Sequence, residues 1–237
     1  VTGAVTNVSA IVAAAKAVGA RVLLDGAQRA SHGPVDVAAL GVDFYAMSSH
    51  KMFGPSGVGV LWGRAELLAD MPPFMGGGEM IRSVTKDVTT FADPPARFEA
   101  GTPPITQVVG MGAAIDWIGT LDQEAVTSHL NRLTERVLNG IADLGGGNGR
   151  IKEVGPQGLQ ERYPVISFDI NGAHPHDICQ ILDGHGVALR GGHHCAQVFM
   201  DAMDLAGTSR ASLGPYSDDS DIDALFAGLE DAIERLT

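Results

Sequence analysis

Lys51 stands in the stretch "SSHKMFGPSGVGVLWG" (48–63), between His50 and a Gly-Pro turn and just after the apolar run "DFYAMS". A second apolar run, "RVLLDGAQ" (21–28), carries Asp25 and Gln28 at its end. An amine and a carboxylate at the ends of two such runs could form a solvated ion pair. They could also do chemistry. An amine drawn out of water is held toward its neutral form, and the neutral form attacks an aldehyde to give a Schiff base. Ser48 and His50, a hydroxyl and an imidazole beside the lysine, are suited to hold phosphate oxygens.

The other nucleophile is a thiol. Cys195 lies in "RGGHHCAQ" (190–197), where Arg190, His193, His194 and two glycines surround it. A thiolate, the reactive form, is favoured in an accessible and electropositive setting of this kind. Cys179, in "HDICQILDGHG" (176–186), falls within an apolar helical pattern and is expected in the core. His185, His193, His194 and Cys195 could suggest a metal set. Adjacent histidines on an extended segment point to opposite sides, however, and no C-x-x-C accompanies them, so no metal is expected. His174 and His176, flanking Pro175, read as solvent-facing turn residues.

These residues need a frame to bring them together. "SAIVAAAKAVGA" (9–20) has helical periodicity with Gly19 as its stop, and the runs ending at Asp25 and Ser48 read as short buried strands with the helix-like "VDVAALG" between them. "GVGVLWG" (57–63) makes a third strand. Apolar strands alternating with helices predict an α/β fold with a mostly parallel sheet, and ligands of such sheets sit at the carboxyl ends of the strands. Periodicity fails from 71 to 104, a Gly-, Pro- and Thr-rich stretch of a length that is usually functional or disordered. A helix pattern over 105–119 and a long amphipathic one over 121–144 follow, the second stopped by "GGGNGR". The chain then reads strand, helix, strand ("YPVISFDI", "HPHDICQILDGHG", "VALRGG") and ends on an acidic helix at 218–236. This predicts a large-domain part over 1–118 and a smaller α+β domain over 119–237.

Pyridoxal phosphate is the cofactor that needs such a lysine together with a carboxylate at its pyridine nitrogen. "DGAQ…SSHK" followed by "GPSGVGVLW" resembles the class V pyridoxal-phosphate enzymes of fold type I, and "RFEAGTP" (97–103) with "RGGHHCAQ" is similar to the SUF-type (group II) cysteine desulfurases. The resemblance runs over essentially the whole chain. It implies that Lys51 binds the cofactor aldehyde, that Asp25 faces the pyridinium, that Gln28 bonds the phenolic oxygen, and that Ser48 and His50 hold the phosphate. It further implies that Thr102 serves the phosphate site of a second subunit in a homodimer. Cys195 would take sulfur from L-cysteine as a persulfide, releasing alanine, and pass it to an acceptor protein for iron–sulfur cluster assembly. Arg210, in "TSRASL", would hold the substrate carboxylate, and Arg190 would contact substrate or thiolate. Members also carry an N-terminal portion ahead of the segment matched here, so the chain is expected to be part of a longer polypeptide. Position 49 is serine where glycine is common, and position 191 glycine where threonine often stands; both are small, and little change is expected.

Composition narrows the classes without choosing among them. Sixteen Lys+Arg against 28 Asp+Glu give a net charge of −12, which disfavours nucleic acid and anionic membranes as partners. Two cysteines do not make a disulfide scaffold and suit a reducing cytoplasm. Selenocysteine lyase or another class V lyase or aminotransferase shares most of these residues, and a catalytically incompetent fragment that serves only for interaction also stays open. Dependence of sulfur release on Cys195 separates the first of these from the desulfurase.

Overall fold

The computed structural model describes residues 1–145 and 149–237. It divides into two compact units, one of Asn7–Leu121 and one of Val1–Thr6 with Asp122–Thr237. Of the glycine-rich stretch expected to stop the long helix, residues 146–148 lie outside the described residues.

In the first unit α1 (Val8–Ala17) is capped by Asn7, whose side chain accepts from the Ala10 amide, and the chain turns out of it through Gly19 at φ +71°. β1 (Leu23–Asp25), α2 (Val37–Leu40), β2 (Phe44–Ser48) and β3 (Gly59–Gly63) follow in the order the patterning predicts. β1 pairs parallel to β2, with Asp25 opposite Ala46. β2 pairs antiparallel to β3, with Ser48 opposite Gly59. The return is antiparallel because only ten residues separate the two strands, too few for a crossover helix. The expected mostly parallel arrangement is therefore represented in these three strands by one parallel and one antiparallel pairing. Buried Asp43 ties the sheet together at its start: its carboxylate accepts from the Val22 amide at 2.8 Å and lies 3.5 and 3.7 Å from Arg21 and Arg64.

After α3 (Ala65–Asp70), the stretch without periodicity proves partly ordered. It contains the antiparallel hairpin β4 (Ile81–Val84) and β5 (Thr89–Phe91), closed by mutual bonds between Thr85 and Val88. The sequence hides this hairpin because both strands are exposed almost throughout, so neither face alternates in polarity. α4 (Ile105–Thr120) packs Met111 and Ile118 against Ala30 and Met52.

The second unit starts its main run at Asp122, whose carboxylate accepts from the Glu124 and Ala125 amides and closes the N-terminus of α5 (Gln123–Gly145). The strands β6 (Ile151–Glu153), β7 (Val165–Ile170), β8 (Arg190–Gly192) and β9 (Thr208–Ser212) form one antiparallel sheet in the order β6-β7-β9-β8. α6 (Pro175–Gly184), α7 (Gln197–Ala202) and α8 (Asp219–Leu236) complete it. Leu133, Val137, Ile166, Phe168, Leu182 and Leu229 fill its core. Residues 1–6, which the sequence reading places with the first domain, belong here. Ser167 donates to the Val1 carbonyl, the Tyr163 amide donates to Gly3, and Ala4 bridges Arg162.

Candidate active site

The first unit brings its polar residues to the ends of two neighbouring parallel strands. Asp25 closes β1, and Ser48 closes β2 two residues past Asp25's register partner Ala46. At about 3.3 Å per strand residue, the carboxylate and the Ser48–Lys51 segment lie within one small-molecule length of each other. Asp25 is exposed, and one of its oxygens accepts from the Ala27 amide at 2.9 Å. The turn behind it exists only because residue 26 is glycine: a Cβ there would lie 2.0 Å from the Tyr45 hydroxyl, and that ring is buried under the strand end. Gln28 is exposed at the start of the short helical turn Arg29–His32.

Lys51 is the last residue of another short helical turn, Ser49–Lys51, directly beyond β2. Ser49 organises it, since its carbonyl accepts from both Met52 and Gly54 and its amide bonds Val58 on the return. The Ser49 hydroxyl is fully buried without a hydrogen-bond partner among the described residues, and a Cβ on Gly54 would fall 2.2 Å from it. The glycine at 54 thus leaves the room that the Ser49 side chain occupies. Ser48 is half-buried, and His50, Lys51 and Thr102 are exposed. Burial that would desolvate the Lys51 amine is therefore not supplied by the described residues of its own unit. A carboxylate at the end of β1, and a hydroxyl, an imidazole and a primary amine at and beyond the end of β2, are groups whose chemistry fits the pyridine nitrogen, phosphate and aldehyde of pyridoxal phosphate.

The second unit builds its site on β8 and β9. Their register sets Arg190 directly opposite Arg210. Two like charges facing each other across a sheet repel. Burial and the Arg190 charge both weaken the hold of Arg210 on its proton, whereas Cys195 acts in the opposite direction. The Arg210 Nε is buried with no hydrogen-bond partner among the described residues. Arg190 donates to the exposed Cys195 thiol at 3.2 Å. Such a pair of guanidiniums is complete only with an anion between them, and a carboxylate or a thiolate meets that need.

Cys195 sits in a tight turn in which the Ala196 amide donates to the His193 carbonyl at 2.9 Å. His194 and Cys195 both have positive φ, +55° and +63°. His193 is exposed while His194 is buried, with Nε2 at 3.0 Å from the Thr208 carbonyl and 2.8 Å from its hydroxyl. Burial first, and then the Arg210 charge, push the His194 pKa down to about 4, so this imidazole is neutral at pH 7. His185 is engaged elsewhere, bonded to Asp231 of α8 at 3.0 Å.

Three features of this unit escaped the sequence reading. His174 and His176 are exposed as expected, but the pocket they share was not foreseen: they head α6 with Pro175 at its first position and line a cavity of about 500 Å³ together with Arg190, His193 and Cys195. Proline at a first helical position was the available signal. The two rings stand edge to face, 5.1 Å apart. Cys179 is half-buried rather than deep in the core, its thiol pushed up by burial and 4.0 Å from the Ser209 hydroxyl. Gly191 is the third. A Cβ there would lie 3.0 Å from the Cys179 Sγ, the His176 Cδ2 and the Pro175 carbonyl, so threonine does not fit this chain without displacement.

The chain is similar over nearly its whole length to known cysteine desulfurases. A probable cysteine desulfurase of Streptomyces coelicolor is 46% identical over 228 residues, covering 96% of this chain and 54% of its own length. A cysteine desulfurase of Dickeya dadantii is 44% identical over 237 residues, covering 100% of this chain and 56% of its own. The crystal structure of an Escherichia coli cysteine desulfurase in its S-sulfonic acid form matches with a TM-score of 0.92 at 37% identity, over 100% of this chain and 57% of that one. The chain thus spans about half the length of the curated relatives it matches. The family description aminotransferase class-V matches residues 1–225, a range that holds both the strand-end lysine and the cysteine turn. With both sites and nearly the whole chain inside that match, the protein belongs to the class-V aminotransferase family.

Proposed function

We propose that the protein is a pyridoxal-phosphate-dependent cysteine desulfurase of the SUF type, acting with the full length of its polypeptide. The observation that carries this reading is the Arg190–Arg210 pair with Cys195 at 3.2 Å from one guanidinium, on a turn that projects the thiol into the pocket. Lys51, Asp25, Gln28, Ser48 and His50 would hold the cofactor, with Thr102 completing the phosphate site of a second copy in a homodimer. When bound, the cofactor supplies the electron sink for bond-breaking next to the substrate's α-carbon.

The chain's own groups do the rest. Arg210 holds the carboxylate of L-cysteine by its planar fork. Lys51, which would hold the cofactor aldehyde, would also be the group that moves a proton at the α-carbon. The Cys195 thiolate attacks the substrate sulfur, and the carbon–sulfur bond breaks with its electron pair left on the carbon skeleton. That skeleton takes up a proton and leaves as L-alanine, and Cys195 keeps the sulfane sulfur as a persulfide. The persulfide then passes to an acceptor protein for iron–sulfur cluster assembly. The two cysteines and the acidic surface suit a cytoplasmic setting. Among the described residues no helix is long and apolar enough to cross a membrane.

The test uses the protein in its full natural length. A visible absorbance band that borohydride abolishes, and that Lys51→Ala lacks, supports the cofactor assignment. Stoichiometric alanine from L-cysteine, with sulfide release lost in Cys195→Ala, supports the persulfide route. Sulfur release that survives Cys195→Ala would sink that route, and a wild-type protein without the absorbance band would sink the enzyme reading.

A further inference from the structure

We propose that His194 is the positioning residue that holds Cys195 in its reactive geometry, acting through its bond to Thr208. The hydrogen bond from the Ala196 amide to the His193 carbonyl closes a four-residue turn. The two central residues, His194 and Cys195, both occupy the left-handed region. Turns of that geometry are ordinarily built from Asn and Gly, because side chains with a full Cβ are strained there. A His-Cys pair has no intrinsic reason to adopt it, so something outside the turn must hold it.

Among the described residues, the His194 ring supplies a buried anchor for the turn. The imidazole is 8% exposed, and its Nε2 meets both the carbonyl and the hydroxyl of Thr208, itself fully buried on β9. Thr208 is the register partner of Gly192, two residues before the histidine, so the same pair of strands fixes both ends of the anchor. Neutrality at pH 7 follows from burial beside Arg210 and leaves Nε2 as a donor to the carbonyl, with Nδ1 buried and without a partner. Anchoring fixes the backbone of Cys195 and therefore the direction in which its thiol leaves the turn toward Arg190. The neighbouring His193 is exposed and cannot serve in this way.

The consequence for turnover rests on the sulfur-accepting role proposed for Cys195; the consequence for the turn does not. The experiment measures two quantities on the cofactor-loaded protein: hydrogen exchange at the Ala196 amide, and kcat and KM for L-cysteine. His194→Ala and His194→Gly are expected to raise exchange at Ala196 at least about tenfold. They should lower kcat about tenfold or more, with KM changed by less than about twofold, since misplacement of a reacting group by an ångström has effects of that order. Thr208→Val, which keeps the carbonyl and loses the hydroxyl, should fall between. His194→Gln, whose amide nitrogen reaches about as far as Nε2, should recover much of both. Wild-type exchange and kcat in His194→Ala would overturn the proposal, because alanine keeps the strained backbone and loses the anchor. Raised exchange with unchanged kcat would overturn its catalytic half. If the wild-type protein shows no desulfuration, the exchange measurement alone decides the anchor, and the failure belongs to the proposed activity.

Discussion

Gly191→Ala is a one-carbon change whose effect can be worked from the contacts around β8. The added methyl would stand 3.0 Å from each of three atoms: the Cys179 Sγ, the His176 Cδ2 and the Pro175 carbonyl oxygen. Carbon contacts are comfortable at about 3.5–4.0 Å and contacts to oxygen somewhat closer, so each neighbour must give by a few tenths of an ångström. Sulfur and imidazole sit on side chains that can yield by a few tenths. The Pro175 oxygen is backbone at the first turn of α6 and yields only if the helix moves. The relief therefore comes from β8 shifting away from α6, at an overpacking cost of about 1–3 kcal/mol. Arg190 precedes the substituted residue and donates to Cys195 at 3.2 Å, so a comparable shift lengthens and weakens that bond. Urea unfolding should show the loss as a lower midpoint at unchanged slope, and alanine production should fall by roughly tenfold to a hundredfold. Cys179→Ala removes one of the three contacts. The double variant should therefore be more stable than the sum of the singles by roughly 1 kcal/mol. A Gly191→Ala protein within about 0.5 kcal/mol of wild type, with an unchanged rate, would show that β8 has slack and refute the reasoning.

Gly26→Ala puts a methyl 2.0 Å from the Tyr45 hydroxyl, and a loss of about 3 kcal/mol with weakened cofactor retention is expected from thermal unfolding and the visible spectrum. Phe168→Ala empties the centre of the second unit's core, where the ring is 0% exposed, and should cost about 3–5 kcal/mol in denaturant titration. The depressed pKa of His194 sets a pH dependence. The folded state takes up its proton near pH 4 and the unfolded chain near 6.5, so this contribution is complete above pH 6.5 and is lost as pH falls through that window toward 4. Between pH 7 and 4.5 it amounts to roughly 2–3 kcal/mol, and His194→Gln should lose less stability than wild type over that interval. Equal acid sensitivity in the two proteins would count against it.

Much of this arrangement is legible in the chain itself. The alanine-rich α1 with Gly19 at its end, the apolar strand that delivers Asp25 and the amphipathic α5 all follow from local periodicity and turn chemistry, which act over a few residues. So do the types of the reactive groups: an amine after one strand, a carboxylate after its neighbour, a thiol among basic residues. The β4–β5 hairpin left no trace because exposed strands carry no polarity alternation. β6, β7 and the residue 1–6 segment come together through bonds between distant parts of the chain, which no window of sequence contains. The opposition of Arg190 and Arg210 depends on register, the crowding at Gly191 on how close α6 approaches β8, and the left-handed Cys195 turn on an imidazole that reaches Thr208. A sequence names the groups that can react; distances between strands and helices set their charge, strain and direction, because those depend on atoms that only folding makes neighbours.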